Sequence, residues 1–592
     1  MKRNFKFSKI FYHYHYRPFT IYSFVYKSNF AKVPSEPGSL RNLLQRHRPY
    51  SVNREVGEVK LGEVATSVGS TLSKNLPQGS LGLQKQSGKE MNIVLTEQES
   101  EVCNILRKVT AYLKETKQLP LVELRIAGGW VRDKLLQFEC HDLDVAINSL
   151  TGSDFANYIK EFLDKEGDNN NKVKIHVIES NPEKSKHLET ATTNLCGLDI
   201  DFVNLRKEVY EDSRIPVSLE YGTPEDDAYR RDITINALFY NIHTGQVEDF
   251  TKKGISDLRE GLIRTPLPSC KTFKDDPLRV LRCIRFASRF HFKIVDDVKD
   301  VIVKDESIKV ALNKKISRER VGIEIDKMIK GPDPVQAIDL IVNLGLYDVV
   351  FSPPPQENIV SGNLRAPKFC LIVAKILSWL LSNESKDYNV HTIFHQLNEN
   401  EKRALYLAAY ALPYKDMTYT EKGISQPVYQ YVIRESIKFS NDDVNKIKKL
   451  LSSIDFVIKT VSQNNEVLTD RRGLGLCIRE LNSDWPTTLL FALSNELIPK
   501  FEYMDQVKEN KEIKEINNKY TKFIERIYEL KLEKVYSEKH LLNGKDVQKL
   551  LNIKPGPNIK IILNSIMEWQ LEYPNSSKEE CEEFIKNKYN NL

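Results

Sequence analysis

Apolar and polar positions follow two different rhythms along this chain, and the change of rhythm divides it. The first amphipathic segment runs from Gln98 to Leu113 and predicts a helix. Between about residues 95 and 265, helical stretches alternate with short β-rich ones. Leu124 to Ala127, Leu143 to Ile147, Val173 to Ile178 and Leu198 to Val203 each predict a strand. The alternation predicts an α/β N-terminal head, a sheet with helices. From Phe273 onward the period is helical nearly to the end with little strand signal, so an all-α remainder is expected. Pro353-Pro354-Pro355 and the stretch after it predict a loop, and Gly544 to Pro557 a break in the last helical portion. The chain has no repeat of solenoid length.

At 592 residues there is room for roughly three to five domains. Hydrophobic residues make up 41% and charged residues 28%, an ordinary globular balance with ample material for a core. No stretch reaches the roughly 20 uninterrupted apolar residues of a membrane helix; even Phe369 to Leu381 is broken by Lys375. No membrane insertion is expected. The eight cysteines, at 103, 140, 196, 270, 283, 370, 477 and 581, form no Cys-x-x-Cys pair. That excludes a zinc ribbon and points to reduced thiols in an intracellular compartment.

The net charge of +6 is unevenly held. Residues 1–50 carry ten Lys or Arg against one acid, Glu36, an excess of nine that leaves the remainder at −3. This basic, Tyr-, Phe- and Ser-rich leader, with segments such as Lys2-Arg3-Asn4-Phe5-Lys6-Phe7, has the balance of a mitochondrial presequence; a basic arm for RNA is the alternative. Ser51 to Lys89, rich in Ser, Gly, Gln and Glu, reads as a linker. Met91 is the first methionine after Met1, so initiation there is expected to give a leaderless form for the cytosol or nucleus.

The most informative segment is Leu124-Arg-Ile-Ala-Gly-Gly-Trp-Val-Arg-Asp133, continuing to His141-Asp-Leu-Asp-Val-Ala-Ile147. A strand ends at Gly128-Gly129 and a short helix begins near Trp130. Glycines let the backbone approach a ligand, and a helix start offers free N–H groups to an anion. Arg132, one turn in, is expected to add a bidentate phosphate contact. On the next strand, residues i and i+2 point the same way, so Asp142 and Asp144 share a face while Leu143 and Val145 enter the core. Two carboxylates held together suit Mg²⁺, and two such ions suit in-line attack of a hydroxyl on a nucleotide α-phosphate. Alone, an Asp-x-Asp is more often solvated surface and Gly-Gly only a turn; the ordered combination carries the reading. It resembles the nucleotidyltransferase superfamily of the polymerase-β type. A second Asp-x-Asp, Asp199 and Asp201, is either an extra carboxylate for this site or a solvated strand edge.

Downstream, Arg230-Arg-Asp-Ile-Thr-Ile-Asn-Ala-Leu238 predicts an amphipathic helix with Ile233, Ala237 and Leu238 on its apolar side. In Lys274-Asp-Asp-Pro-Leu-Arg279, Asp276 and Arg279 are expected on one face of a helix, where the plain alternative is an intrahelical ion pair. Ile316 to Met328, containing Ser317-Arg-Glu-Arg320, follows with Val321, Ile325 and Met328 as a core stripe. In this order the segments resemble the class II tRNA nucleotidyltransferases, the CCA-adding enzymes. Their pattern is Gly-Gly-x-Val-Arg-Asp with Asp-x-Asp, Arg-Arg-Asp-x-x-Ile-Asn, Glu-Asp-x-x-Arg and a Ser-x-Glu-Arg helix. The likeness is strong over about residues 95–330. It returns in Asn543-Gly-Lys-Asp546 and in Lys554-Pro-Gly-Pro557 through Trp569-Gln570, which resemble the eukaryotic version. One departure is Asp275 where the pattern has Glu, which touches only the supporting role of that acid.

The resemblance implies a polymerase-β-type head at 95–266, after the leader (1–50) and linker (51–94). It further implies a base-recognising helical neck at 267–345, a helical body at 346–500 and a tRNA-binding helical tail at 501–592. It implies Asp142 and Asp144 as catalytic ligands of Mg²⁺, and Gly128, Gly129, Arg132 and Arg231 around the triphosphate. Asp232 and Asn236 would hold the ribose, and Asp276 with Arg279 would read the base, accepting CTP and ATP. Lys207 to Thr223, polar and irregular, matches the family's flexible loop, or else is an ordinary connection. The expected partners are the 3′ end and acceptor arm of tRNA, read through A-form shape and phosphates, with lysines such as Lys446, Lys448 and Lys449 available on the body. No obligate protein partner is evident. Two competing readings are a bacterial-type poly(A) polymerase and a catalytically retired tRNA-binding protein.

Overall fold

The computed structural model describes residues 92–140, 142–167, 175–178, 190–209, 218–362, 364–382, 397–463, 470–500 and 510–589. The leader and the linker through Met91, with the expectations placed on them, lie outside the described residues.

The chain enters the head through the helix Glu97–Thr116. Thr96 starts it with a reciprocal cap: its hydroxyl accepts from the Glu99 N–H, and the Glu99 carboxylate accepts from the Thr96 N–H. Nine strands follow among the described residues of the head, β1 (Leu124–Ala127), β2 (Leu143–Ile147), β3 (Ile175–Ile178), β4 (Thr190–Leu195), β5 (Leu198–Asn204), β6 (Arg206–Val209), β7 (Ser218–Tyr221), β8 (Phe239–Asn241) and β9 (Gln246–Glu248). Seven of them form one sheet in the order β3-β4-β5-β2-β1-β8-β9. Within it β2 and β5 run parallel, and the other neighbours are antiparallel.

The period-2 alternation gives this sheet two unlike faces. Leu143, Val145, Ile147, Ile200 and Phe202 join the main core with Val102 and Leu106 of the first helix and Phe155 and Ile159 of the helix Gly152–Glu166. The opposite face carries a separate small cluster, Ala127, Ala146, Leu205, Ala228, Ala237 and Phe239. Its alanines leave room on the face to which Asp144, two residues before Ala146, belongs.

After the head the chain is mostly helical, as expected. The helices Ser269–Asp275, Arg279–Phe290, Arg318–Ile329 and Pro334–Asn343 make the neck, with Val321, Ile325 and Met328 buried as a stripe. The helices Lys368–Leu381, Glu399–Ala411, Asn441–Ser462 and Trp485–Glu496 continue the core. The C-terminal segment has a small core of its own around Leu542, Val547, Ile562, Ile566, Cys581 and Ile585.

The fold departs from the expected elements in several places. The segment after Arg230 is not a helix: one 3₁₀ turn, Thr234–Asn236, leads into β8, which pairs with β1. Ile233, Ala237 and Leu238 are nonetheless fully buried. The stretch Lys207 to Thr223 is not irregular at its ends, since β6 and β7 pair as an antiparallel ribbon; residues 210–217 lie outside the described ones. The helical region contains a three-stranded sheet of Ile359–Ser361, Thr418–Glu421 and Ile424–Pro427. Lastly, Gly544 begins a helix, Gly544–Leu551, because Asn543 and Asp546 form a capping box; the break is confined to residues 552–556.

Candidate active site

β1 delivers the chain to Gly128, whose φ of +73° lies in the region that favours glycine. A Cβ there would stand 2.5 Å from Arg231 Nη1. The Gly128 N–H donates to the Leu238 carbonyl at 3.0 Å, joining the turn to the segment entering β8. The helix Gly129–Leu135 follows.

Asp142, just ahead of β2, and Asp144 within it are exposed, while Leu143 and Val145 are buried, as the alternation predicts. In the parallel pairing Asp144 lies opposite Asp201 on β5. Asp201 accepts a 2.5 Å bond from the Thr192 hydroxyl, whereas Asp199 is tied to Asn194 at the exposed strand end. Of the second Asp-x-Asp, it is Asp201 whose charge bears on Asp144. Solvent reaches Asp144, yet the surrounding protein mass raises its carboxyl above the ordinary carboxylate range, with Asp201, Asp142 and Asp227 adding to the rise and Arg231 opposing it. The donor set is all carboxylate oxygen, it is in excess of its countercharge, and it opens to solvent. That chemistry fits a hard divalent cation sharing its shell with phosphate oxygens. Among the described residues no group of three or more His, Cys, Asp or Glu forms a closed metal cage.

Arg231 is held from behind. Its Nε and Nη2 donate to Asp227 at 3.0 and 2.8 Å and its Nη1 to the Asn236 carbonyl at 3.1 Å, with the Phe239 ring beneath. Asp227, buried, also accepts from Arg230, which reaches Glu208 on β6. Arg230 and Arg231 hold the Asp227 carboxyl low against the burial that would raise it. The ribbon and the Arg-Arg-Asp segment are thus bonded together.

Asp232 and Asn236 are both buried and bonded to each other, Nδ2 donating to Oδ1 at 3.0 Å. Arg282 of the neck donates to Asp232 Oδ2 at 2.7 Å. Burial pushes the Asp232 carboxyl up, but Arg282, Asn236 and Arg279 pull it down to about 2.

Arg132 departs from its expected place. It is 3% exposed, bonded bidentately to Asp133 and to the Asn236 side-chain oxygen, and stacked on Phe286 and Phe290 of the neck. Its side chain is 4% exposed, against 19% for that of Arg231, so Arg132 does not stand open to a phosphate.

Asp276 and Arg279 do not share a helix. Asp276 is extended (φ −141°, ψ 102°) between two helices, since Pro277 disfavours the helical conformation before it. No intrahelical ion pair forms: Asp276 accepts from Arg320 at 3.0 Å, while Arg279 donates to the carbonyls of Arg230 at 2.6 Å and Thr272 at 3.4 Å. Arg279 thus reaches the head through the Arg230 carbonyl, whereas the partner of Asp276 lies in the neck. Arg282, Arg320, Asp227 and Asp133 were not singled out from sequence. Arg282 repeats the three-residue spacing after Arg279, and Arg320 ends the Ser-Arg-Glu-Arg run, so both carried a signal.

A mixed sheet with paired aspartates on an open face, a glycine turn beside them and a helical neck bonded to the same cleft defines a nucleotidyltransferase of the polymerase type. Family comparison agrees: the poly A polymerase head domain matches residues 124–264, and the probable RNA and SrmB-binding site of polymerase A matches 292–358. The chain is 39% identical over 527 residues to the mitochondrial CCA tRNA nucleotidyltransferase of Saccharomyces cerevisiae, covering 83% of this chain and 93% of that one. It is 34% identical over 494 residues to tRNA nucleotidyltransferase cca1 of Schizosaccharomyces pombe, covering 82% and 95%. The solved Bacillus stearothermophilus CCA-adding enzyme in complex with CTP shares the fold, with a TM-score of 0.55 at 19% identity over 84% of this chain and 98% of that one. This chain belongs to the CCA tRNA nucleotidyltransferases.

Proposed function

We propose that this enzyme adds C, C and A to the 3′ end of tRNA from CTP and ATP, releasing pyrophosphate and choosing each base with its own side chains. The observation that carries the reading is the open carboxylate group of Asp142 and Asp144, facing Asp201, with Arg231 as the cation set against it. Asp142 and Asp144 would hold Mg²⁺, which when bound neutralises phosphate charge and favours ionisation of the attacking 3′-hydroxyl. Arg231, beside the side-chain-free Gly128, meets the triphosphate. Asp232 and Asn236 hold the ribose. Asp276 and Arg279 read the base: a carboxylate takes the amino hydrogens of cytosine or adenine, and a guanidinium donates to the ring nitrogen. Uracil and guanine present the reverse pattern and leave buried charged groups unpaired, a penalty of several kcal/mol.

The acceptor arm is read by shape and phosphates. Lys446 and Lys448 are exposed on the body helix for such contacts, while Lys449 is bonded to Asp484. The chain divides as leader, linker, head, neck, body and tail at the boundaries given above, and the leader directs the enzyme to mitochondria, with a Met91-initiated form in the cytosol and nucleus. Among the described residues no helix is long and apolar enough to cross a membrane. The test offers purified protein, Mg²⁺ and a tRNA ending at the discriminator base, with each NTP alone and then CTP with ATP. Two C residues from CTP and CCA from both support the reading; long A tails from ATP alone favour a poly(A) polymerase, and no product favours a binding protein.

A further inference from the structure

Five buried or half-buried side chains form a line across the cleft: Asp133, Arg132, Asn236, Asp232 and Arg282. Asn236 sits in its middle between two partners of fixed character. A guanidinium only donates and an ionised carboxylate only accepts. Arg132 therefore requires the Asn236 oxygen, and Asp232, held as a carboxylate by Arg282, requires its nitrogen. The amide cannot turn over without facing donor to donor and acceptor to acceptor. Arg132 is itself immobilised, by Asp133 on one edge and by the Phe286 and Phe290 rings, whose centroids lie 5.0 and 4.8 Å from its carbon.

We propose that Arg132 is a positioning residue for sugar selection: it fixes the Asn236 amide so that one Nδ2 hydrogen bonds Asp232 and the other is aimed at the nucleotide 2′-hydroxyl. This rests on the reading that Asp232 and Asn236 hold the ribose. Without Arg132 the amide is anchored on its nitrogen side alone and can swing about the bond to Asp232, so its second Nδ2 hydrogen is no longer held on the sugar. Preference for a ribonucleotide then falls, because the 2′-oxygen loses a donor that was previously held in place. The neck takes part through Phe286, Phe290 and Arg282, so sugar choice depends on the same helix that carries Arg279.

The test uses the full-length enzyme and a tRNA ending in CC, with ATP or 2′-deoxy-ATP as the incoming nucleotide and kcat/KM measured for each. Arg132→Met should lower the ATP preference by about tenfold or more. Arg132→Lys, which keeps the charge but not the planar fork, should lower it at least about threefold and carries the test if the Met variant does not fold. In an Asn236→Ala background, either change should have no further effect on the ratio. A residue that merely contacts phosphate would weaken both nucleotides alike, and an unchanged ratio in Arg132→Lys or Arg132→Met overturns the proposal. If Asn236→Ala itself leaves the ratio unchanged, it is the ribose assignment that fails, and the role proposed for Arg132 with it.

Discussion

Glu99 ties the first helix to the helix that follows the glycine turn, and its removal should loosen both. Its side chain is 3% exposed. One oxygen accepts from the Trp130 indole N–H at 3.0 Å; the other accepts from the Lys134 ammonium at 2.7 Å and the Thr96 N–H at 2.7 Å. In Glu99→Ala the indole N–H, on a residue 1% exposed, loses its partner, which costs about 1–3 kcal/mol. Loss of the reciprocal cap adds about 1 kcal/mol. Lys134, mostly buried, loses its countercharge, bringing the total to about 3–5 kcal/mol, the range for breaking a buried pair. Glu99→Gln keeps one acceptor but sets its amide donors against either the Trp130 indole N–H or the Lys134 ammonium together with the Thr96 N–H, so about 2 kcal/mol is expected.

The pH dependence has a definite sign. Burial would raise the Glu99 carboxyl, but Lys134, the Thr96 N–H and the Trp130 N–H together hold it below its ordinary 4.5. A depressed carboxyl stabilises the fold above its unfolded pKa, and that contribution fades as pH falls through the folded value. The gap between wild type and Glu99→Gln should therefore be full at pH 6 and shrink progressively below about pH 4.5. Because a chain of several domains need not unfold in one step, the assay is hydrogen exchange of the amides in Glu97–Thr116, at both pH values. Equal protection in wild type and Glu99→Gln at pH 6, or a gap that persists unchanged in acid, would refute the reasoning.

Gly128→Ala should lower kcat at least tenfold with little change in tRNA binding, since a Cβ at φ +73° both strains the turn by about 1–3 kcal/mol and displaces Arg231; filter binding alongside single-turnover rates checks it. Glu324→Gln should destabilise the neck by about 3 kcal/mol, because Arg285, 8% exposed, donates to Glu324 at 2.5 Å and would be left with a neutral partner; chemical denaturation checks it.

Much of the head was legible because its signals are local. The Asp142-Leu143-Asp144-Val145 alternation has the strand period, and a glycine pair before it has little other use than a turn. The Arg-Arg-Asp segment was misread because Ile233, Ala237 and Leu238 have helical spacing. Their burial comes instead from a 3₁₀ turn and from β8, whose Phe239-Tyr240 pair was the available strand signal. Asp276 and Arg279 were placed on one helix although Pro277 between them argues against it. A break is expected from Gly544, yet Asn543 and Asp546 on either side of it form a helix-starting capping box. The employment of Arg132 depends on Asn236 and Phe286, 104 and 154 positions away, a distance over which neither period nor spacing carries information.

If the protein itself chooses the base, substitution of Arg279 should alter that choice most directly. Wild type and Arg279→Ala would each be given a tRNA lacking CCA with all four NTPs, Asp142→Ala serving as the transfer-deficient control that still binds tRNA, and the added nucleotides sequenced. Wild type should add C and A, Arg279→Ala should show a marked rise of U and G relative to C and A, and the control should add nothing. Addition by Arg279→Ala at a reduced rate but with unaltered choice of C and A would contradict base choice by this side chain.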